Sequence, residues 1–189
     1  MASQRNRRLA AILAADVVGY SRLMRADEEG TFAAVEELRE RMLSPAAKEL
    51  SGRLFKSMGD GFLLEFSSVV AAIRFAMAVQ TELKSWNEPR PKAQQVHLRM
   101  GLNVGDVIAV DGDLYGDAVN VAARLEAIAD PGGICISETA LHQLGDNVTL
   151  ETEDLGNRAL KNIETSVTPD FSSRSMFSVP SSSAPIMRL

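Results

Sequence analysis

The stretch RLFKSMGDGFLLEF, residues 53–66, decides how the chain is read. Two apolar runs flank Gly59-Asp60-Gly61, the pattern of a β-hairpin with a tight turn. Lys56 sits inside the first run and Asp60 at the tip, and a hairpin needs neither. In a strand of period two, Lys56 shares a face with Leu54 and Met58. A lysine on an apolar face is rarely buried without a partner, so it either reaches to the sheet edge or points into a pocket. Asp60 alone is ordinary turn chemistry.

Upstream of the hairpin, LAAILAAD (residues 9–16) is a short apolar run ended by a carboxylate. The basic residues before it give it the outline of a signal peptide. Asp16 cuts the run at minimal length, and a buried first strand is the better reading. Gly19 then turns the chain into helix, and Asp27, Glu28 and Glu29 mark a further helix start. Pro45 is expected to interrupt that helix. Asp16 taken alone reads as a helix cap.

Downstream, residues 67–86 form an amphipathic helix capped by Ser67 or Ser68, with Val69, Ile73, Ala76 and Leu83 at helical spacing. VHLRMGLNVGDVIAV (residues 96–110) reads as two strands broken near Gly105-Asp106. DGDL is a turn, and YGDAVNVAARLEAIA (residues 115–129) is a helix stopped by Pro131-Gly132-Gly133. On that helix Asp117, Asn120 and Arg124 fall within about 60° of one another. Ala118, Val121, Ala122, Leu125, Ile128 and Ala129 take another side. Asn120 and Arg124 stand one turn apart and can act together on phosphate and ribose oxygens, or form a plain solvated face. ICIS is a strand, followed by a short helix near 138–144 and VTLE as a strand.

The order β-α-ββ-α-ββ-α-β suggests an α+β, ferredoxin-like layer fold, a mainly antiparallel sheet covered by helices on one face. Residues 1–8 read as a basic flexible arm, 9–166 as one domain, and 167–189 as a Ser/Pro-rich flexible tail. The 189 residues, 46% hydrophobic, suffice for one core. A net charge of −5 argues against nucleic acid as partner. The lone Cys135 excludes an intrachain disulfide and a cysteine metal site, which fits a reducing, cytoplasmic setting. No run reaches the length of a membrane span. His97 and His142 are isolated, and neither a nucleophile triad nor a Walker-type loop is present.

Taken together, AILAADVVGYSRLM, FKSMGDGFLLEF, MGLNVGDVIAV and DGDLYGDAVNVAARLEAIADPGGICIS are specific. Over residues 9–163 the chain resembles the catalytic domain of class III nucleotidyl cyclases, adenylate type. The resemblance implies conversion of ATP to 3′,5′-cyclic AMP and pyrophosphate with two divalent ions, Mg²⁺ or Mn²⁺. It assigns Asp16, Val17 and Asp60 to the metals. Gly19, Tyr20 and Ser21, in the turn after the first strand, lie along the triphosphate. Lys56 and Asp113 read the base, Asn120 and Arg124 position the ribose and stabilise the transition state, and Lys161 in ALKNI contacts the terminal phosphates. Active sites in this family lie at a homodimer interface, one copy giving the metal aspartates and the other the base readers and the Asn/Arg pair. Lys56 and Asp60 would then serve opposite sites.

The base choice has its own argument. Adenine offers an amino donor and a ring acceptor, and Asp113 accepts while Lys56 donates. Guanine reverses both edges and leaves a charge unpaired. Guanylate cyclases of the family usually carry Glu and Cys, or similar residues, at these positions. Rival readings are a catalytically silent nucleotide-binding or dimerisation module, guanylate cyclase activity, and a palm-type diguanylate cyclase. The last lacks its Gly-Gly-acidic signature here. Family domains close with a strand after the ALKNI region, whereas Pro169 and many serines argue against that strand in this chain.

Overall fold

The computed structural model describes residues 6–144, 153–154 and 176–179. The first strand, β1 (Asn6–Val17), begins before the apolar run, so the last residues of the expected arm are already strand. Short α1 (Tyr20–Ala26) leads to α2 (Glu28–Glu37), whose start is capped by the Asp27 carboxylate accepting from the Gly30 amide at 2.9 Å. The expected interruption near Pro45 takes the form of a π-helical stretch, Leu38–Leu43. It leads without a break into α3 (Ser44–Glu49), with Pro45 in the first turn of α3 and the Ser44 amide donating to the Arg39 carbonyl in the wider π-helical pairing. The hairpin forms as expected from β2 (Gly52–Met58) and β3 (Gly61–Phe66). Helix α4 (Val69–Asn87) is capped by Ser68.

The second hairpin breaks elsewhere than the sequence suggested. Strand β4 runs unbroken over Leu98–Val110, and the turn falls at Asp111-Gly112, both at positive φ, before β5 (Asp113–Tyr115). Gly105 serves packing rather than turning. A Cβ built there would stand 3.0 Å from the Ala118 Cβ of α5 (Asp117–Ile128). Then follow β6 (Ile134–Ser137), α6 (Glu138–Leu144), β7 (Glu153–Asp154) and β8 (Met176–Val179). The segment expected to be a flexible tail thus supplies β8, which pairs antiparallel with β6. The VTLE strand and Lys161 lie outside the described residues.

The sheet order is β2-β3-β1-β4-β6-β8-β7, with β5 on β4. All pairs are antiparallel except β4 with β6. The sheet is covered on both faces, not one. Ala11, Leu13, Ala15 and Val17 of β1 face the large core with Ile73, Phe75 and Leu83 of α4. Ala10, Ile12 and Ala14 face Ala118 and Ala122 of α5. A continuous apolar strand such as LAAILAA is the signature of burial on both sides. At Gly101 a Cβ would stand 2.2 Å from the Ala122 carbonyl oxygen and 2.2 Å from the Glu126 nitrogen, so the backbone of α5 lies directly on β4.

Candidate active site

Two groups of polar side chains form on the α5 face. The first stands where β1, β3 and β4 meet. In β1 the alternation that buries Ala10, Ile12 and Ala14 against α5 puts Asp16 on the same face. Asp16 pairs with Gly61 of β3, and the Val17 amide donates to the Asp60 carbonyl at 3.1 Å. The hairpin tip is thereby fixed beside the end of β1, and the Asp16 and Asp60 carboxyls come together. Burial, and after it the neighbouring Asp60, push the Asp16 carboxyl up, while a hydrogen bond from Arg99 works the other way.

Arg99 had no part in the sequence reading. It is the direct cross-strand partner of Asp16 on β4, a relation visible only once the register is known. Its Nη2 donates to Asp16 Oδ2 at 2.8 Å and its Nε to the same oxygen at 3.2 Å. Nε also lies 2.5 Å from Glu126 Oε1. Glu126 was missed as well, though it extends the Ala118-Ala122 stripe that α5 turns to the sheet. Burial, opposed by Arg99, raises the Glu126 carboxyl to about 7, and Asp16 adds to the rise. Burial works against the Arg99 cation, yet Glu126 and Asp16 outweigh it and hold it charged.

The second group surrounds an open depression of about 460 Å³ lined by Lys56, Met58, Leu63, Leu114, Tyr115, Asp117 and Asn120, among others. Here the expected face of Lys56 needs correcting. Leu54 pairs with Leu64 but Lys56 pairs with Leu63, so a β-bulge at Phe55 intervenes. Lys56 therefore leaves the face of Leu54, which packs into the α4 core, and joins Leu63 on the α5 face. Its Nζ meets Asp113 Oδ2 at 3.3 Å, and the Tyr115 hydroxyl donates to the same oxygen at 3.4 Å.

Asn120 is exposed one turn before Arg124. Arg124 carries a buried Nη1 with no hydrogen-bond acceptor among the described residues. A buried donor left without a partner is costly, so this nitrogen calls for an acceptor beyond those residues. In the turn after β1, the Val17 and Val18 amides are taken by the Asp60 and His97 carbonyls. Gly19, at φ 69°, leads into α1, with Tyr20 and Ser21 as its first residues. The structure thus brings Asp16 to Asp60 and Lys56 to Asp113. The depression that holds Lys56 and Asn120 is lined by neither metal-type aspartate.

Among the described residues, no group of three or more His, Cys, Asp or Glu side chains is arranged to hold a metal ion. Two adjacent carboxylates are nevertheless a suitable donor set for a hard cation that completes its shell with water and substrate phosphate. Burial raises the Asp16 carboxyl first and the neighbouring Asp60 adds to it, and a cation bound between the two carboxylates would favour their ionised forms. No described helix is long and apolar enough to cross a membrane.

Comparison with known proteins identifies the family. Residues 2–168 match the family model described as the adenylate and guanylate cyclase catalytic domain. The "Putative adenylate cyclase 3" of Rhizobium meliloti (strain 1021) is 46% identical over 158 residues, 84% of this chain. An adenylate cyclase of Streptomyces coelicolor is 31% identical over 69% of the chain. The chain spans only 27% and 32% of the lengths of these two relatives. Among solved structures, the adenylate/guanylate cyclase/hydrolase from Silicibacter pomeroyi superposes with a TM-score of 0.83 at 39% identity, covering 94% of this chain and 99% of that one. The adenylyl cyclase CyaB from P. aeruginosa shares the fold, with a TM-score of 0.78 at 21% identity over 95% of this chain and 97% of that one. On the evidence of its sheet, its paired aspartates and this match over most of its length, the chain belongs to the adenylate and guanylate cyclase catalytic domain family.

Proposed function

We propose that the chain is an adenylate cyclase domain, converting ATP to 3′,5′-cyclic AMP and pyrophosphate at sites shared between two copies. The observation that carries the choice of base is the Lys56–Asp113 pair in its depression. With Asp113 at the exocyclic group and Lys56 at the ring nitrogen, the pair matches the edge of adenine, and guanine in the same pose reverses donor and acceptor at both positions. A site built this way rejects the wrong base because its own polar groups go unpaired.

In this reading Asp16 and Asp60, with the Val17 carbonyl, hold two divalent cations of the Mg²⁺ or Mn²⁺ type. Bound there, the ions would supply an acidified ribose 3′-hydroxyl and charge neutralisation on the triphosphate. Gly19, Tyr20 and Ser21 face the phosphates, and Lys161 is the expected contact for the terminal ones. Asn120 of the other copy orients the ribose. Its Arg124 places the unpartnered Nη1 where charge builds on the α-phosphate as the 3′-oxygen attacks and pyrophosphate leaves. A homodimer is proposed because the depression lined by Lys56 and Asn120 includes neither Asp16 nor Asp60, while each chain carries both sets. The test is purified protein with ATP or GTP and Mn²⁺ or Mg²⁺, scored for cyclic product. Metal-dependent cyclic AMP formation supports the proposal. No product from either nucleotide makes this a silent nucleotide-binding or dimerisation module, and cyclic GMP as main product overturns the base assignment.

A further inference from the structure

Glu126 has no place in the reaction just described, and its setting is more specific than packing requires. It lies two residues beyond Arg124 on the side of α5 that touches the sheet, with its side chain 13% exposed. The contact of α5 with Gly101 holds its backbone against β4, two residues along from Arg99. Its Oε1 stands 2.5 Å from Arg99 Nε as an ion pair. The outer edge of the same guanidinium grips Asp16. One cation is thus shared between a carboxylate proposed to bind metal and one with no other assigned task.

We propose that Glu126 is a positioning residue for metal uptake: it holds Arg99 when a divalent cation takes over the Asp16 carboxylate. The inference rests on the reading of Asp16 as a metal ligand. Arg99 and a divalent cation compete for that carboxylate and repel each other across it. Release of Arg99 from Asp16 alone would leave a part-buried guanidinium without a counter-charge, which is strongly unfavourable. With Glu126 beside Nε, Arg99 keeps an ionic partner throughout and can realign on it as Asp16 is vacated. A neutral Gln of the same shape removes that second anchor. Arg99 then depends on Asp16 alone, and the incoming cation must displace it at greater cost.

The probe is Mn²⁺ alone, added to the full chain at pH 8 without nucleotide, with free Mn²⁺ read from its electron paramagnetic resonance signal. Four proteins are compared: wild type, Glu126→Gln, Arg99→Gln and the double variant. Pairs within one ionic network commonly couple enough to give an effect of about tenfold, so Glu126→Gln should raise the Mn²⁺ Kd by that order. In the Arg99→Gln background the same change should matter by less than about threefold, because there is no longer a guanidinium to hold. Glu126→Asp, which keeps the charge but shortens the reach, should fall between wild type and Glu126→Gln. An unchanged Kd in Glu126→Gln, even with a lowered melting temperature, reduces Glu126 to a structural ion pair and overturns the inference. An equal loss in both backgrounds also overturns it, since Glu126 would then act on the metal directly. If wild type binds no more Mn²⁺ than Asp16→Asn, the metal reading itself fails, a result distinct from the other two.

Discussion

Lys56 and Asp113 are 57 residues apart in the chain, and a bulge of one residue brings their charged groups to 3.3 Å. Without the extra residue at Phe55, strand alternation would turn Lys56 toward the α4 core. The bulge re-aims it to the face where β5 and α5 stand. The pair is partly exposed, so its contribution to folding is small. Its value lies in holding a donor and an acceptor side by side.

Exchange of that pair should change the base. Lys56→Glu with Asp113→Cys installs the residues usual in the guanylate cyclases of the family. The ATP-to-GTP ratio of kcat/KM is expected to fall by about 10² or more, the scale on which unpaired buried polar groups discriminate. Parallel assays with both nucleotides measure it, and an unchanged ratio places base reading elsewhere.

Arg124→Ala should lower kcat by about 10²–10³, the usual cost of removing one donor to developing charge. The buried Nη1 has no hydrogen-bond partner among the described residues to lose, so melting should move much less than kcat. A KM effect with normal kcat would assign Arg124 to ground-state binding instead.

Shared sites predict complementation. Asp16→Ala and Arg124→Ala should each be nearly inactive alone. Mixed and re-equilibrated, half the dimers are mixed and each carries one intact site, so about a quarter of wild-type activity should return if the family's twofold dimer applies. Mixed dimers shown to form yet remaining inactive would exclude the interface arrangement.

The Glu126 carboxyl makes the metal-free protein sensitive to pH. Its folded pKa of about 7 stands above the ordinary 4.5, so the folded state binds the extra proton between those values. Stability from this group is present at low pH and is lost as pH rises through about 7. The gap caps the loss at about 3 kcal/mol, with Arg99, Asp16 and Asp60 all facing the group. Asp16, also raised, adds in the same direction. Urea titrations at pH 5 and pH 8 should show a smaller pH-dependent loss in Glu126→Gln than in wild type.

Gly101→Ala tests the packing of α5. The new Cβ would meet backbone atoms of Ala122 and Glu126, which cannot rotate away. A loss of about 1–3 kcal/mol in denaturant unfolding is expected, with activity falling as Arg124 shifts along with its helix.

The chain itself determined the alternation and helical spacing that gave the hairpin, α4, α5 and the α+β order. Local chemistry also made Lys56, Asn120 and Arg124 stand out, because a charge within an apolar run or a polar pair at one-turn spacing is visible without coordinates, whereas Asp16 and Asp60 gained a role only through the family resemblance. Tertiary structure decided what depends on register and on close approach. The bulge at Phe55 turned Lys56 to the other face. Gly105 proved to be a packing contact, so that β4 runs on to Asp111. Arg99 and Glu126 became part of the site only when β4 lay beside β1 and α5 settled on Gly101. The reason is physical: periodicity is written over neighbouring residues, whereas a cross-strand pairing or a helix seated on a glycine is settled by whole surfaces fitting together, and no short stretch of chain carries that information.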